Sequence, residues 1–366
     1  MIVAGWSFTS ACNLRCIHCY NASGKPKENE LTLEEAYKVA DKLKKAGVIA
    51  VNFGGGECAL RKDFIQLCKY LFESGIEISY TTNGTCFEII KNHLPLFHDI
   101  GVSLDFADEK KHDEFRGVKG NYKKAIHTIK QLVCKGVNTE IVTCITKLNC
   151  SENELKKLHE LAKKLKVDYW RLNRFRNNGR GADNKSYLAL DKEELRKAYA
   201  FLAKQIDNSV STPEPLLRSA FGGNYSFPGD PSGFTAFRIQ PDGEVSPSVF
   251  LKESGGNIKC KSVKEIMNSD VFKRIRNRKP RGKCRKCSSY YHCRGGDAGA
   301  SHLEYGHFDG PDPLCWLEPD ESRIHPKKKI SEKWNVHERY LCTAYVPIIK
   351  EYEKKKDIGM KIKEMM

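Results

Sequence analysis

Residues 31–55 read LTLEEAYKVADKLKKAGVIAVNFGG, and two periodicities meet in them. Leu33, Ala36, Tyr37, Ala40 and Leu43 recur at the spacing of one helical face, and Thr32 with Glu35 forms a capping box at its start. Glu34–Lys38 and Asp41–Lys45 pair one turn apart on the outer face, and Gly47 supplies the stop. The eight residues that follow, VIAVNFGG, form an almost unbroken apolar run, which predicts a strand buried on both faces. The same unit returns along the chain. DFIQLCKYLFES (63–74) leads through Gly75 into IEISYTTNG, and YKKAIHTIKQLVCK (122–135) leads through Gly136 into VNTEIVTCIT. Ser151 and Glu154 cap a helix that runs into VDYWRLNRF, and Asp191 with Glu194 caps DKEELRKAYAFLAKQI. With the opening strand and IGVSLDF (100–106), this gives six strands alternating with six helices. Such alternation means parallel strands with right-handed crossovers, and ligands are then expected on the loops after the strands' C-terminal ends.

The bulk composition limits the classes open to the chain. It has 366 residues, enough for one large domain and a smaller one, with 40% hydrophobic and 30% charged residues as in globular proteins. Its first residues, MIVAGWSFTSACNLRC, lack the charged start and small-residue cleavage site of a signal peptide, and no apolar run approaches a membrane span. A soluble, cytoplasmic protein with no membrane partner is expected. Fifteen cysteines are many for such a chain, and clustered cysteines in a cytosolic protein point to metals rather than disulfides. Two groups stand out: Cys12, Cys16 and Cys19, and Cys284, Cys287, Cys293 and Cys315. The remaining eight, Cys58, Cys68, Cys86, Cys134, Cys144, Cys150, Cys260 and Cys342, read as small buried hydrophobes. The net charge of +16 fits either a polyanion partner or a lysine-rich solvated surface; nucleic acid is an open but unfavoured reading.

Each chemically suggestive stretch of the first half sits directly after a predicted strand. Cys-x3-Cys-x2-Cys follows the first. One reading is a zinc site that borrows His18, but the spacing is not that of a zinc ribbon. Three thiolates on one loop suit a [4Fe–4S] cluster that leaves one iron open for a ligand. The second strand ends in NFGGGECALRKD, where Gly55 and Gly56 allow close backbone approach and Glu57 adds a carboxylate. The third ends in TTNGT with Asn83, and the fourth in VSLD, which would put Ser103 and Asp105 on one side of the strand.

Together, CNLRCIHCY, GGGE, TTNGT and VSLD resemble the signature set of radical S-adenosylmethionine (SAM) enzymes over about residues 4–210. The resemblance implies a partial (β/α)6 barrel. In it Cys12, Cys16 and Cys19 would ligate three irons of a [4Fe–4S] cluster whose fourth iron chelates SAM. Tyr20 would pack near the adenine, Gly55, Gly56 and Glu57 would receive the methionine amino group, Asn83 would join them, and Ser103 and Asp105 would face the ribose. Reductive cleavage of SAM would then yield a 5′-deoxyadenosyl radical that abstracts hydrogen from a substrate. HDEFRGVKGNYKKAI (112–126) resembles the loop after the family's fourth strand, and Arg116 within it reads as structural or solvated.

After residue 210 the rhythm stops. The Pro/Gly/Ser-rich stretch 211–233 reads as a linker, and FTAFRIQPDGEVSPSVFL as a hairpin around Asp242-Gly243. Taken alone, Cys284, Cys287, Cys293 and Cys315 could hold zinc or an iron–sulfur cluster. The region 234–318 resembles a SPASM/Twitch auxiliary-cluster domain, but Asp297 and Ser248 stand where that family usually has cysteines. The resemblance therefore implies one auxiliary [4Fe–4S] cluster, with Asp297 or Ser248 as an oxygen ligand to a further one kept as the alternative. A basic helical tail is expected at 319–366. Eleven residues precede Cys12, so no leader-peptide-binding domain is expected before it. The function expected is hydrogen abstraction from a peptide or a tetrapyrrole- or pterin-type cofactor precursor, with electrons from an acidic flavodoxin or ferredoxin. A tRNA-modifying enzyme and a non-catalytic zinc-stabilised module are the alternatives. Arg171, Asn173 and Arg174, at the barrel mouth, suggest a polar ligand.

Overall fold

A computed structural model describes residues 2–205, 210–212, 214–216, 229–248, 250–251, 253–279 and 281–319. Its frame is the expected one. Strands β1 (Ile2–Thr9), β2 (Val48–Gly55), β3 (Glu77–Thr82), β4 (Asp99–Ser103), β5 (Asn138–Ile145) and β6 (Tyr169–Arg174) lie side by side in chain order, each parallel to the next. The short β7 (Val210–Ser211) extends the sheet beyond β6.

The helices that cover the sheet follow the capping signals. In α1 (Leu33–Lys45) the Thr32–Glu35 box is formed, and Ala36, Val39, Ala40 and Leu43 are buried. Leu33 and Tyr37 flank that stripe half-buried, so the inward face is turned slightly toward Val39. Burying a side chain such as Val39 or Leu43 contributes roughly 1.5–3 kcal/mol. The other cover helices are α2 (Phe64–Glu73), α3 (Glu109–Arg116), α4 (Asn121–Cys134), α5 (Glu152–Leu165) and α6 (Lys192–Gln205). The β3–β4 crossover departs from the pattern: it is one helical turn at Phe87–Ile90 and a 3-10 turn at Leu94–Leu96 with Pro95 at its start. An aromatic layer between sheet and helices joins Trp6, Phe8, Phe53, Phe64 and Tyr80, with Trp6 stacked on Phe53 at 5.7 Å and Phe53 edge-on to Phe64 at 5.2 Å.

The second region is stitched to the first by backbone. The hairpin forms as expected, with β8 (Ala236–Ile239) antiparallel to β9 (Glu244–Ser246) and Gly243 in the left-handed region of the turn. However, β8 also pairs in parallel with β1, so the boundary expected near residue 234 is no break in the sheet. The edge is closed by β10 (Gly256–Asn257), and the full order is β10-β9-β8-β1-β2-β3-β4-β5-β6-β7. Beyond it lie α7 (Asp270–Arg276), the cysteine segment, and α8 (Ala298–Tyr305).

The expected tail helix and Cys342 lie outside the described residues. Of the scattered cysteines, Cys58, Cys68 and Cys86 are buried and Cys144 and Cys150 half-buried. Cys134, in the last turn of α4, and Cys260, beside the β10 turn, are exposed, which corrects the expectation that all eight are core residues. Among the described residues no helix is long and apolar enough to cross a membrane.

Candidate active site

The C-terminal ends of the strands open into one cavity of about 300 Å³. Cys12, Cys16, Cys19 and Tyr20, Gly55, Gly56 and Glu57, Asn83, and Ser103 all line it, from four successive loops. The cysteine loop is held mainly through its backbone. Cys12 N donates to Gly24 O and Gly24 N to Ser10 O, both at 2.9 Å; Arg15 N donates to Arg116 O at 3.2 Å and Ile17 N to Phe115 O at 3.1 Å. From beyond β6, Arg180 donates to Cys16 O (3.0 Å) and Ser23 O (2.8 Å), and Asn184 to Ile17 O (2.8 Å). Gly179, at φ +56°, passes so close that a Cβ there would lie 2.4 Å from Tyr20 O and 2.5 Å from Cys19 O. These clamps hold the loop so that Cys12, Cys16 and Cys19 line the cavity.

The Gly-Gly-Glu turn is pressed against the same loop. Gly56 N donates to Thr9 O and Glu57 N to Ala11 O, and a Cβ on Gly56 would fall 2.1 Å from Ala11 O. The glycine is therefore required by chain-to-chain contact before any ligand is considered. Glu57 is buried and accepts from Tyr80 Oη, from Thr82 Oγ1 at 3.0 Å and from Asn83 N at 2.8 Å. Burial raises its carboxyl to about 7 against the lowering effect of the Asn83 and Thr82 bonds. Asn83 also donates to Asn13 Oδ1 at 2.9 Å and approaches Cys12 Sγ at 3.9 Å, so it joins the Glu57 turn to the cysteine loop.

Asp105 is the exception. Strand β4 ends at Ser103, so the alternation that would carry Asp105 to the same face stops there. Ser103 lines the cavity; Asp105 does not. Its fully buried carboxylate accepts from Cys144 N at 2.8 Å and from Arg116 Nε at 2.7 Å. Burial alone would raise it, but the Arg116 guanidinium holds it below the usual carboxylate range. The expectation that it faces a ribose is thus corrected. Arg116, read as structural or solvated, is buried and lines the cavity, and its Nη1 lies 3.8 Å from Cys16 Sγ. His18 is stacked on Phe115 at 4.2 Å, and burial drives it down to about 3, so it is a neutral wall residue.

Sequence reasoning missed the other wall. Arg176, Arg238, Glu214, Asp230 and Phe250 line the cavity beside Asp297 and Ser248. Arg176 bridges Glu214 and Asp297, at 2.8 Å to each, and lies over the Phe250 ring. Arg238 donates to Tyr20 Oη at 3.2 Å. Asp297 is committed twice: Oδ2 takes Arg176, and Oδ1 caps α8 through Ala300 N at 3.1 Å. Ser248 Oγ accepts from Phe250 N at 3.3 Å. Of the arginines read as ligand-facing, Arg174 is bidentate to Asp312 (2.9 and 2.6 Å) and Arg171 reaches Glu140 at 3.1 Å, so both are neutralised by the protein itself. Arg176, two residues past the end of β6, is the one signal that pattern reading could have extended to.

Both cysteine groups fit iron–sulfur clusters by donor chemistry. In the first, burial raises Cys16 to about 11 against the Arg116 charge, and the nearby thiols of Cys19 and Cys12 add to the rise. In the second, burial and the charges of Cys315 and Cys287 raise Cys284 to about 11; burial, Asp312, Cys315 and Cys284 raise Cys293 to about 12. Convergent thiols such as these are what a metal must deprotonate and hold. Among the described residues no three His, Cys, Asp or Glu side chains close around a point as they would for a single ion.

Known proteins resemble the chain in both halves. The model of the radical SAM superfamily matches residues 6–162, and that of SPASM, an iron–sulfur cluster-binding domain, matches residues 231–288. The mycofactocin maturase MftC of Mycolicibacterium smegmatis is 30% identical over 88% of this chain and 86% of its own length. The AdoMet-dependent heme synthase of Methanosarcina barkeri is 27% identical over 86% of this chain and 96% of its own. Streptococcus suis SuiB bound to S-adenosylmethionine superposes with a TM-score of 0.71 at 19% identity, over 86% of this chain and 77% of that one; the same protein bound to its precursor peptide SuiA gives 0.71 at 20%, over 86% and 76%.

Proposed function

The chain belongs to the radical SAM superfamily and is an enzyme that uses SAM and iron–sulfur clusters, and from that premise we propose that it abstracts hydrogen from a peptide bound in the 300 Å³ cavity. When bound, the cluster and SAM supply a 5′-deoxyadenosyl radical; the chain's own residues orient and enclose it. Cys12, Cys16 and Cys19 would hold the cluster, Gly55, Gly56, Glu57 and Asn83 the methionine end of SAM, and Tyr20 and Ser103 its nucleoside end. The observation that carries the reading is that these residues share one cavity with Arg176, Phe250, Ser248 and Asp297, which leaves a polar far wall for a substrate. A maturase at 30% identity and SuiB with its precursor peptide support a peptide. The heme synthase that matches over 96% of its own length supports a second reading, a tetrapyrrole-type precursor.

Cys284, Cys287, Cys293 and Cys315 would hold one auxiliary cluster. Arg176 and the cap of α8 each engage one oxygen of Asp297, which supports a single auxiliary cluster over a further one. The test is anaerobic: iron and sulfide per chain, and 5′-deoxyadenosine formed from SAM with peptide or iron-porphyrin substrates. About eight irons are expected, falling to about four, with all SAM cleavage lost, in the C12A/C16A/C19A variant. About twelve irons would reinstate Asp297 or Ser248 as a ligand.

The net charge of +16 supports an acidic flavodoxin- or ferredoxin-type electron donor, whose approach would be steered by charge. Its reduction rate should fall several-fold between low and physiological salt; a rate independent of salt would remove the donor assignment.

A further inference from the structure

The cavity explains the cysteines, the glycine turn and Asn83, but it assigns no task to the buried Asp105–Arg116 ion pair, whose arginine lines the cavity beside Cys16. Arg116 ends α3, and its main chain is the seat of the cysteine loop, since Phe115 O and Arg116 O accept from Ile17 N and Arg15 N. The next residue, Gly117 at φ +72°, admits no side chain, because a Cβ would lie 2.7 Å from Arg15 O. The guanidinium is thereby delivered to Cys16 Sγ at 3.8 Å. Asp105 fixes its direction through Arg116 Nε at 2.7 Å and Nη2 at 2.6 Å, and is itself fixed by Cys144 N. Of the flanking imidazoles, His18 stacks on Phe115 at 4.2 Å and His112 Nε2 lies 3.0 Å from Asn121 Oδ1.

We infer that Asp105 and Arg116 are positioning residues that set the reduction potential of the cluster held by Cys12, Cys16 and Cys19. Reduction adds one electron, from the donor or the titrant, and breaks no bond. A guanidinium beside one ligating sulfur stabilises the added negative charge and raises the potential; the carboxylate behind it opposes that effect while holding the fork in place. In a buried site neither charge is screened as it would be at the surface. The two residues therefore act with opposite sign, which a purely mechanical role in seating the loop does not require.

The inference rests on the assignment of the cluster to those three cysteines, which the iron count of the C12A/C16A/C19A variant tests separately. Its own test is an EPR-monitored redox titration of the iron-loaded enzyme. Added SAM alters the signal of the cluster that binds it and identifies that signal against the auxiliary one. R116Q is expected to lower the midpoint potential of the SAM-responsive signal and D105N to raise it. A tenfold change in the reduced-to-oxidised ratio at a fixed potential corresponds to about 59 mV for one electron. R116K, which keeps the charge without the fork, should fall between R116Q and the unaltered enzyme, and the auxiliary signal should not move. Shifts of the same sign in R116Q and D105N, or no shift in either at full iron content, would overturn the inference. Should R116Q fail to retain iron, D105N and R116K carry the test, and a D105N potential at or below that of the unaltered enzyme overturns it.

Discussion

Cys12, Cys16 and Cys19 lie on a single loop whose backbone is pinned by main-chain and side-chain hydrogen bonds from other parts of the chain, and all three line an open cavity. Cys284 and Cys287 share one 3-10 turn and its cap while Cys293 and Cys315 come from elsewhere in the chain, none of them lines that cavity, and Lys283 donates to Cys315 O at 2.9 Å. On the proposed reading the first group would leave a position for a reacting ligand, and the second would be closed by its own four donors. In this chain the difference between a catalytic and an enclosed site lies less in residue type than in what holds the backbone. Where clamps secure the main chain, side chains are free to face a ligand; where cysteines tie a segment together, they are its structure.

The strongest way to break the comparison is at the joint between the regions. Arg174, at the end of β6, and Asp312, three residues before Cys315, form a bidentate pair with both side chains at most 2% exposed. Burial opposes both charges, yet each partner holds the other ionised: Asp312 is kept below the usual carboxylate range and Arg174 above its ordinary value. R174A leaves the carboxylate buried beside only Arg176, at a cost of about 3–5 kcal/mol. Because Asp312 O accepts from Cys315 N, the loss should first loosen the second cysteine group. Thermal unfolding should shift down, and iron should be lost by about half, with SAM cleavage retained at the first group. Equal loss from both groups would show that the two sites are one cooperative unit. An R174M/D312L pair should regain most of the stability.

The same contrast shows why the barrel is legible in the sequence and much of the cavity wall is not. The rhythm of Ala36, Val39, Ala40 and Leu43 followed by VIAVNFGG is local, and so are the capping pairs Thr32–Glu35 and Ser151–Glu154. Three cysteines in eight residues are local too. The wall opposite them is built from Arg176, Arg238, Phe250 and Asp297, whose meetings span as many as 218 residues in sequence, as between Arg238 and Tyr20. No periodicity carries such pairs. Asp105 fails for a subtler reason: the period of two that places Ser103 correctly holds only while the strand lasts, and β4 ends one repeat of the pattern too early. The hairpin is legible in Asp242-Gly243, but its parallel pairing with β1 is a tertiary event that neither segment announces.

A finer test of the open site uses Glu57, an acid that burial there brings close to neutrality. Glu57 is raised to about 7 by burial, while its unfolded value is near 4.5. The folded protein therefore binds more protons than the unfolded chain between those values. Stability is fully present below about 4.5 and declines as pH climbs toward 7, after which the difference is constant. A carboxyl carried from near 4.5 to about 7 by folding corresponds to a loss on the order of 3 kcal/mol. E57Q carries no such penalty: its amide oxygen can still accept from Thr82 Oγ1 and Asn83 N, while its NH2 takes the place of the oxygen that faces Tyr80 and can donate to that hydroxyl. Relative to the unaltered protein, E57Q should gain stability between pH 5 and pH 8 in SAM-free thermal unfolding, and its advantage should level off above pH 7. A difference that stays flat over this range would mean that Glu57 is already ionised at pH 5, stabilised by the Thr82 and Asn83 hydrogen bonds more strongly than burial opposes it.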